Sequence, residues 1–165
     1  METSDSISVR VSVREYKPGP VKRDLLEALV DAGRRAPTAR AVEPWEFVVV
    51  TDKTVLSKLG GIAAPHGSFI KDAASCIALY CKDTKYYLED GCAATENILL
   101  AAVDIGLGAC WVAGDKKPYV NEVSKLLEVP PDMKLVSLIP IGWPKDKIAQ
   151  KKKRSLKEVI HWEKF

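Results

Sequence analysis

The sequence predicts an α+β or α/β domain, a sheet with helices packed on it, and three observations lead there. Apolar, β-branched stretches alternate with amphipathic or small-residue stretches long enough to be helices. Glycine and proline separate them, at Lys17-Pro-Gly-Pro20, Pro37, Gly60-Gly61, Gly106-Leu-Gly108 and Pro130-Pro131. No internal repeat or low-complexity linker divides the 165 residues. That length suits one domain over residues 1–165, which buries roughly two thirds of the surface its unfolded chain exposes. About four strands interleaved with about four helices are expected.

In order along the chain, the first informative stretch is Arg10-Val-Ser-Val-Arg14. In extended backbone, side chains at i, i+2 and i+4 share a face, so Arg10, Ser12 and Arg14 project together while Val11 and Val13 face the other way. Two readings stand here: a grip for an anion, or a half-buried strand or helix end with a solvated basic face. Lys17 to Pro20 is a turn. Val21 to Ala36 reads as an amphipathic helix, with Leu25, Leu26, Leu29, Val30 and Gly33 at helical spacing, and Pro37 ends it by disfavouring helical geometry at Ala36.

Thr38 to Glu43 is a loop, and Pro44 to Thr51 is a strand whose continuous apolar run predicts burial on both faces. Asp52 or Thr54 can cap a short helix that ends at Gly60-Gly61. Ala64 to Phe69 reads as a surface loop and Ala74 to Cys81 as a second buried strand. Tyr86 to Ile105 is the longest helical pattern, crowded with Gly91, Cys92, Ala93, Ala94, Ala101 and Ala102. Such small residues let another backbone approach closely, which predicts a central helix or a subunit contact. After Gly106-Leu-Gly108 come a short strand at Ala109 to Ala113 and a helix from Lys117 to Glu128, stopped by Pro130-Pro131. Lys134 to Trp143 is the last strand, with Pro140 marking a bulge or an edge.

Composition narrows the function classes. The chain is 47% hydrophobic and 28% charged, and 25 basic against 22 acidic residues leave a net charge of +3. So small an excess does not argue for nucleic acid or an anionic membrane. The first residues carry acidic groups and no apolar h-region, and no run approaches bilayer-spanning length, so the expected location is the cytoplasm. Cys76, Cys81, Cys92 and Cys110 match no metal-ligand spacing and sit among small or apolar neighbours, which predicts packed free thiols. No Ser–His–Asp or Cys–His arrangement suggests a nucleophile, so no catalytic side chain and no metal ligand is assigned. Lys151 to Arg154 taken by itself is a solvated or nucleic-acid-seeking run.

Several short motifs fall in a fixed order: Arg10-Val-Ser-Val-Arg14, Ala36-Pro-Thr38, Pro44-Trp-Glu-Phe-Val-Val-Val, Gly106-Leu-Gly-Ala-Cys-Trp-Val-Ala-Gly114, Gly142-Trp-Pro144 and Lys152-Lys-Arg154. In that order they resemble the nitroreductase family of FMN-dependent NAD(P)H oxidoreductases over nearly the whole chain, with this sequence a short member. The resemblance implies an α+β fold of three layers, α-β-α, around a mixed, mostly antiparallel sheet. It implies FMN as cofactor, NAD(P)H as electron donor, and ping-pong hydride transfer through flavin N5 to a small oxidised acceptor such as a nitroaromatic or quinone. It further implies a homodimer with shared active sites.

Carried over residue by residue, the resemblance implies that Arg10, Ser12 and Arg14, with the backbone at Val11, hold the FMN phosphate, ribityl chain and pyrimidine edge. Lys152 and Arg154 add phosphate contacts. Pro37, Thr38, Ala39 and the position of Ala41 resemble the loop that reaches the isoalloxazine of the neighbouring subunit. Val112, Ala113 and Gly114 resemble the segment whose amides approach flavin N5 and O4. The chain departs from the family at Ala41, where Asn is frequent, and at Glu43, where Gln or His is. A carboxylate there opposes negative charge on a reduced ring. An alternative is therefore a flavin-binding module without nicotinamide turnover.

Overall fold

A computed structural model describes residues 1–165. Five α-helices and six strands alternate in it: α1 (Thr3–Val9), β1 (Tyr16–Lys17), α2 (Arg23–Arg34), β2 (Trp45–Val50), α3 (Lys53–Ile62), β3 (Ser75–Lys82), α4 (Tyr87–Asp104), β4 (Gly108–Ala109), β5 (Val112–Ala113), α5 (Val120–Leu126) and β6 (Met133–Pro144). The strands form one sheet in the order β1-β6-β3-β2, with β4 and β5 also pairing with β6, and every ladder is antiparallel. One isolated parallel bridge, Ser12 to Ala109, makes it mixed. No helix is long and apolar enough to cross a membrane.

The three layers follow from the period of β3, which is buried from Ser75 to Cys81. Ile77, Leu79 and Cys81 face a core built with Leu26 and Leu29 of α2 and Ala94, Ile98, Leu99 and Ala102 of α4. The intervening Cys76, Ala78 and Tyr80 face a second core with Leu56 and Leu59 of α3 and Val123 of α5. Helices on both sheet faces give the α-β-α arrangement of an α+β protein. The small residues of α4 serve this packing. A Cβ on Gly91 would lie 2.6 Å from Val136 Cγ2, so glycine lets α4 settle directly on β6. All four cysteines are free thiols, three of them buried.

Several elements differ from expectation for physical reasons. β2 was expected to be buried on both faces, but it is the outer strand of the sheet and exposes Glu46 and Val49. α3 begins as expected, Asp52 accepting hydrogen bonds from the N–H groups of Thr54 and Val55, but runs through Gly60-Gly61 to Ile62. Gly60 does not stop the helix. It admits the following turn, since a Cβ there would meet Ser68 O at 2.9 Å. The expected strand at Ala109 to Ala113 is split into β4 and β5, and Pro140 explains the gap. Its carbonyl accepts from Cys110 N at 3.3 Å, so its missing N–H faces the same side and leaves the ladder a donor short there. The bulge of β6 lies instead at Val136, between pairs Leu79–Ser137 and Tyr80–Leu135. It turns both Val136 and Ser137 toward α4, where Ser137 and Thr95 share a hydrogen bond of 2.9 Å.

Candidate functional site

Arg10 caps the C-terminal end of α1, and from there the backbone runs extended beside β4. Val13 N donates to Ala109 O at 2.9 Å, and the Val13 side chain is buried beneath Gly108. Val13 is thus turned inward while Arg14 is exposed, and Arg10, Val11 and Ser12 are half-buried. Ser12 pairs with Ala109 in the parallel bridge, next to Cys110 in the chain. Burial pushes the Cys110 thiol up, and Arg14, Ser12 and Arg10 pull it the other way. Tyr16 closes the back of this segment, its hydroxyl donating to Val13 O at 2.8 Å and reaching Pro140 O at 3.2 Å.

The two guanidiniums have few competitors. Arg10 Nε lies 3.5 Å from Glu96 Oε1 of α4, a half-exposed and weak pairing. Arg14 meets no carboxylate and stands over the Phe69 ring at 5.9 Å. Phe69 belongs to a turn whose Gly67 packs on Val112, because a Cβ on Gly67 would lie 3.3 Å from Val112 Cγ1. Arg10 to Arg14, the Phe69 turn and the stretch from β4 to β5 thus make one continuous surface. His66, in the same turn, is exposed.

The C-terminal tail is rooted beside this segment by Gln150. Its Nε2 donates to Arg10 O at 2.9 Å and to Ile7 O at 3.0 Å, which ties the root of the tail to the end of α1. Lys152 follows two residues later, within about 7 Å of chain. Arg154 lies two residues further and donates to Glu158 O at 2.5 Å. Every residue from Lys151 to Phe165 is exposed.

Val112 and Ala113 form β5 on β6, and the Val136 bulge accepts from the amides of both Gly114, at 3.0 Å, and Asp115, at 3.4 Å. A Cβ on Gly114 would lie 2.6 Å from Leu135 Cγ, so glycine is required there by the sheet. Tyr87 donates to Asp115 Oδ1 at 2.6 Å and ties this corner to α4.

Pro37, Thr38, Ala39 and Ala41 lie apart from this surface, and no hydrogen bond or ion pair joins them to Arg10–Arg14 within one chain. Their loop is held to α4: Asp90 accepts from Thr38 Oγ1 at 2.9 Å and from Ala39 N at 3.0 Å. Arg40, Ala41 and Glu43 adopt φ of 59°, 54° and 48°, left-handed values that cost a non-glycine residue on the order of 1 kcal/mol each. Asn tolerates that region better than alanine, so Ala41 is strained where the family's frequent Asn would not be.

The donor set fits a flavin mononucleotide tail. One short extended segment carries two guanidiniums and a hydroxyl with only one half-exposed carboxylate paired to them, and a third and fourth cation lie on a tail rooted beside Arg10. A phosphate dianion asks for such charge and for the bidentate fork of arginine. Sequence reasoning did not find Phe69, Glu96, Asp90 or Gln150, which carry no motif and become neighbours only through the fold.

A family model described as the Nitroreductase family matches residues 7–90 and 82–143. A protein of Methanothermobacter thermautotrophicus that carries the provisional name NADH dehydrogenase/NAD(P)H nitroreductase is 32% identical over 150 residues, covering 87% of this chain and 78% of that one. A crystal structure under the same provisional name, from Bacteroides thetaiotaomicron, superposes with a TM-score of 0.93 at 34% identity over 99% of this chain and 98% of the other. An FMN-dependent nitroreductase of Clostridium difficile superposes at 0.90 with 26% identity, over 97% and 98%.

Proposed function

Because this chain belongs to the nitroreductase family, we propose that it is an FMN-dependent oxidoreductase that uses NAD(P)H to reduce a small oxidised acceptor, nitroaromatic or quinone-like. The observation that carries the reading is the Arg10–Arg14 segment laid extended along β4 with Arg14 free of any carboxylate, and the basic tail rooted on Arg10 by Gln150. A bound FMN would supply the hydride-transfer chemistry that links NADH or NADPH to the acceptor, and donor and acceptor would use one slot in turn. Arg10, Ser12 and the Val11 backbone hold the phosphate and ribityl arm, and Lys152 and Arg154 add charge to that grip. Arg14 faces the pyrimidine edge, where a fixed cation favours negative charge on the ring.

Pro37, Thr38, Ala39 and Ala41 reach the ring held by a second copy. Val112 and Ala113 line it beside Gly114, whose own N–H is committed to Val136. The test is anaerobic mixing of the purified protein with NADH or NADPH, followed by an acceptor screen. Bleaching of the flavin by nicotinamide, reoxidation by nitroaromatics or quinones, and parallel initial-rate lines are expected. The exposed Glu43 carboxylate beside Ala41 favours a second reading, a flavin-binding module without turnover. Flavin that stays oxidised with both nicotinamides would select it.

A homodimer with shared sites is part of the proposal. The tail exposes Leu156 at 72%, Trp162 at 79% and Phe165 fully, and α1 exposes Ile7 and Val9. Apolar surface of that kind asks for a cover. The outer strand β2 leaves half its ladder unpaired beside a groove of about 830 Å³, lined in part by Val21, Leu26, Val30, Phe47 and Val49. The arm of a second copy has suitable chemistry for that seat. Truncation after Gln150 is expected to yield monomers and to loosen FMN, as read by light scattering and flavin retention. A full-length protein that is monomeric at micromolar concentration would contradict the dimer. Cytoplasmic residence completes the reading, supported by four free thiols.

A further inference from the structure

The structure assigns to Asp90 a positioning role: we infer that this one carboxylate sets the conformation of the Pro37–Glu43 loop. Asp90 is 5% exposed in the first turn of α4 and has no cationic partner. Its charge is met by hydrogen bonds alone. Oδ2 accepts from Thr38 Oγ1 at 2.9 Å and Oδ1 from Ala39 N at 3.0 Å. Thr38 Oγ1 in turn accepts from Glu43 N at 3.2 Å, which closes the loop on itself. Between these two ends lie the left-handed Arg40 and Ala41, and Glu43 itself is left-handed.

A loop with three such residues relaxes unless its surroundings over-determine it. Here the surroundings are Asp90 and the Thr38 hydroxyl, because Arg40, Ala41, Val42 and Glu43 are all exposed. The helix supplies a second reason for the arrangement. An acidic residue in the first turn of α4 lies in the favourable field of the helix N-terminus, so the same position that reaches the loop also suits the helix. Asp90 therefore acts through Thr38 and Ala39 and need touch neither flavin nor acceptor. Its consequence at the ring rests on the oxidoreductase reading above; the clamp itself does not.

The test uses the full-length, FMN-loaded protein and the variants Asp90→Ala, Thr38→Val and Thr38→Ser. Three quantities are read: trypsin cleavage after the exposed Arg40 against cleavage in the tail at Lys151–Arg154, the visible flavin spectrum, and kcat with KM for NADH. Loss of a charge-assisted hydrogen bond is worth about tenfold or more in loop opening. Asp90→Ala and Thr38→Val are expected to speed cleavage at Arg40 by about that factor with tail cleavage unchanged, to shift the flavin spectrum, and to lower kcat. Thr38→Ser keeps the hydroxyl and is expected to stay within about twofold of the parent in all three.

Unchanged Arg40 cleavage in Asp90→Ala overturns the inference. So does a Thr38→Ser variant as open as Thr38→Val, or faster cleavage at every site together with a lower melting temperature. Faster Arg40 cleavage with an unaltered spectrum and unaltered kcat supports the clamp and overturns its consequence at the ring. A parent protein that binds no FMN sinks the oxidoreductase reading, while Arg40 cleavage still reports on the clamp.

Discussion

Replacing Arg10 by alanine is expected to weaken FMN binding by roughly 10- to 100-fold, the worth of one or two charge-assisted hydrogen bonds. The fold should barely register the change. Arg10 has one side-chain partner, Glu96 at 3.5 Å, and both groups are partly in water, so losing that pair costs at most a few tenths of a kcal/mol. The contact that fixes the segment is made by the backbone: Gln150 donates to Arg10 O, which alanine retains. Titration of cofactor-free protein with FMN, beside a melting curve, separates the two effects. Parent-like affinity would return Arg10-Val-Ser-Val-Arg14 to a solvated basic face.

Gly108→Ala is expected to act on the same segment from behind. The new Cβ would lie 2.8 Å from both Cβ and Cγ1 of Val13 and 2.9 Å from its Cγ2. Val13 cannot swing away at its Cβ, so the backbone that carries Ser12 and Arg14 must move. Overpacking of this kind costs about 1–3 kcal/mol. The protein should therefore melt lower and also bind FMN less tightly, in contrast to Arg10→Ala, which changes affinity alone. If Gly108→Ala lowers stability but leaves FMN affinity untouched, the register of Val13 against β4 does not control the grip.

Much of this arrangement is legible in the sequence, and the reasons are local. Asp52 is one of the two caps the sequence offers and is the one used, Pro37 states a helix end to within two residues, and the mostly apolar run of β3 states a buried strand. α1 was not foreseen, because Ser, Thr and β-branched residues are poor helix formers and only Ser6 is buried; tertiary contact with α4 makes that helix. β2 reads as buried on both faces and lies at the edge, since composition reports apolar surface to be covered and not which chain covers it. The same limit applies at the site. The spacing of Arg10, Ser12 and Arg14 is visible in one line of sequence, but Phe69, Glu96 and Gln150 lie 55 to 140 residues away from their partners and carry no signal of their own. Asp90 is hidden for a different reason: its function is to hold backbone, and backbone leaves no pattern in side-chain periodicity.

The central claim is that Arg10 and Ser12, with Lys152 and Arg154, grip a phosphate. It is tested most directly by comparing FMN with riboflavin, which differ only in that group, in titrations of the cofactor-free protein at fixed ionic strength. A grip of at least two charge-assisted contacts predicts that FMN binds on the order of a hundredfold or more tighter, with a preference that shrinks as salt is raised. Equal affinities for FMN and riboflavin, or binding of neither, would contradict it.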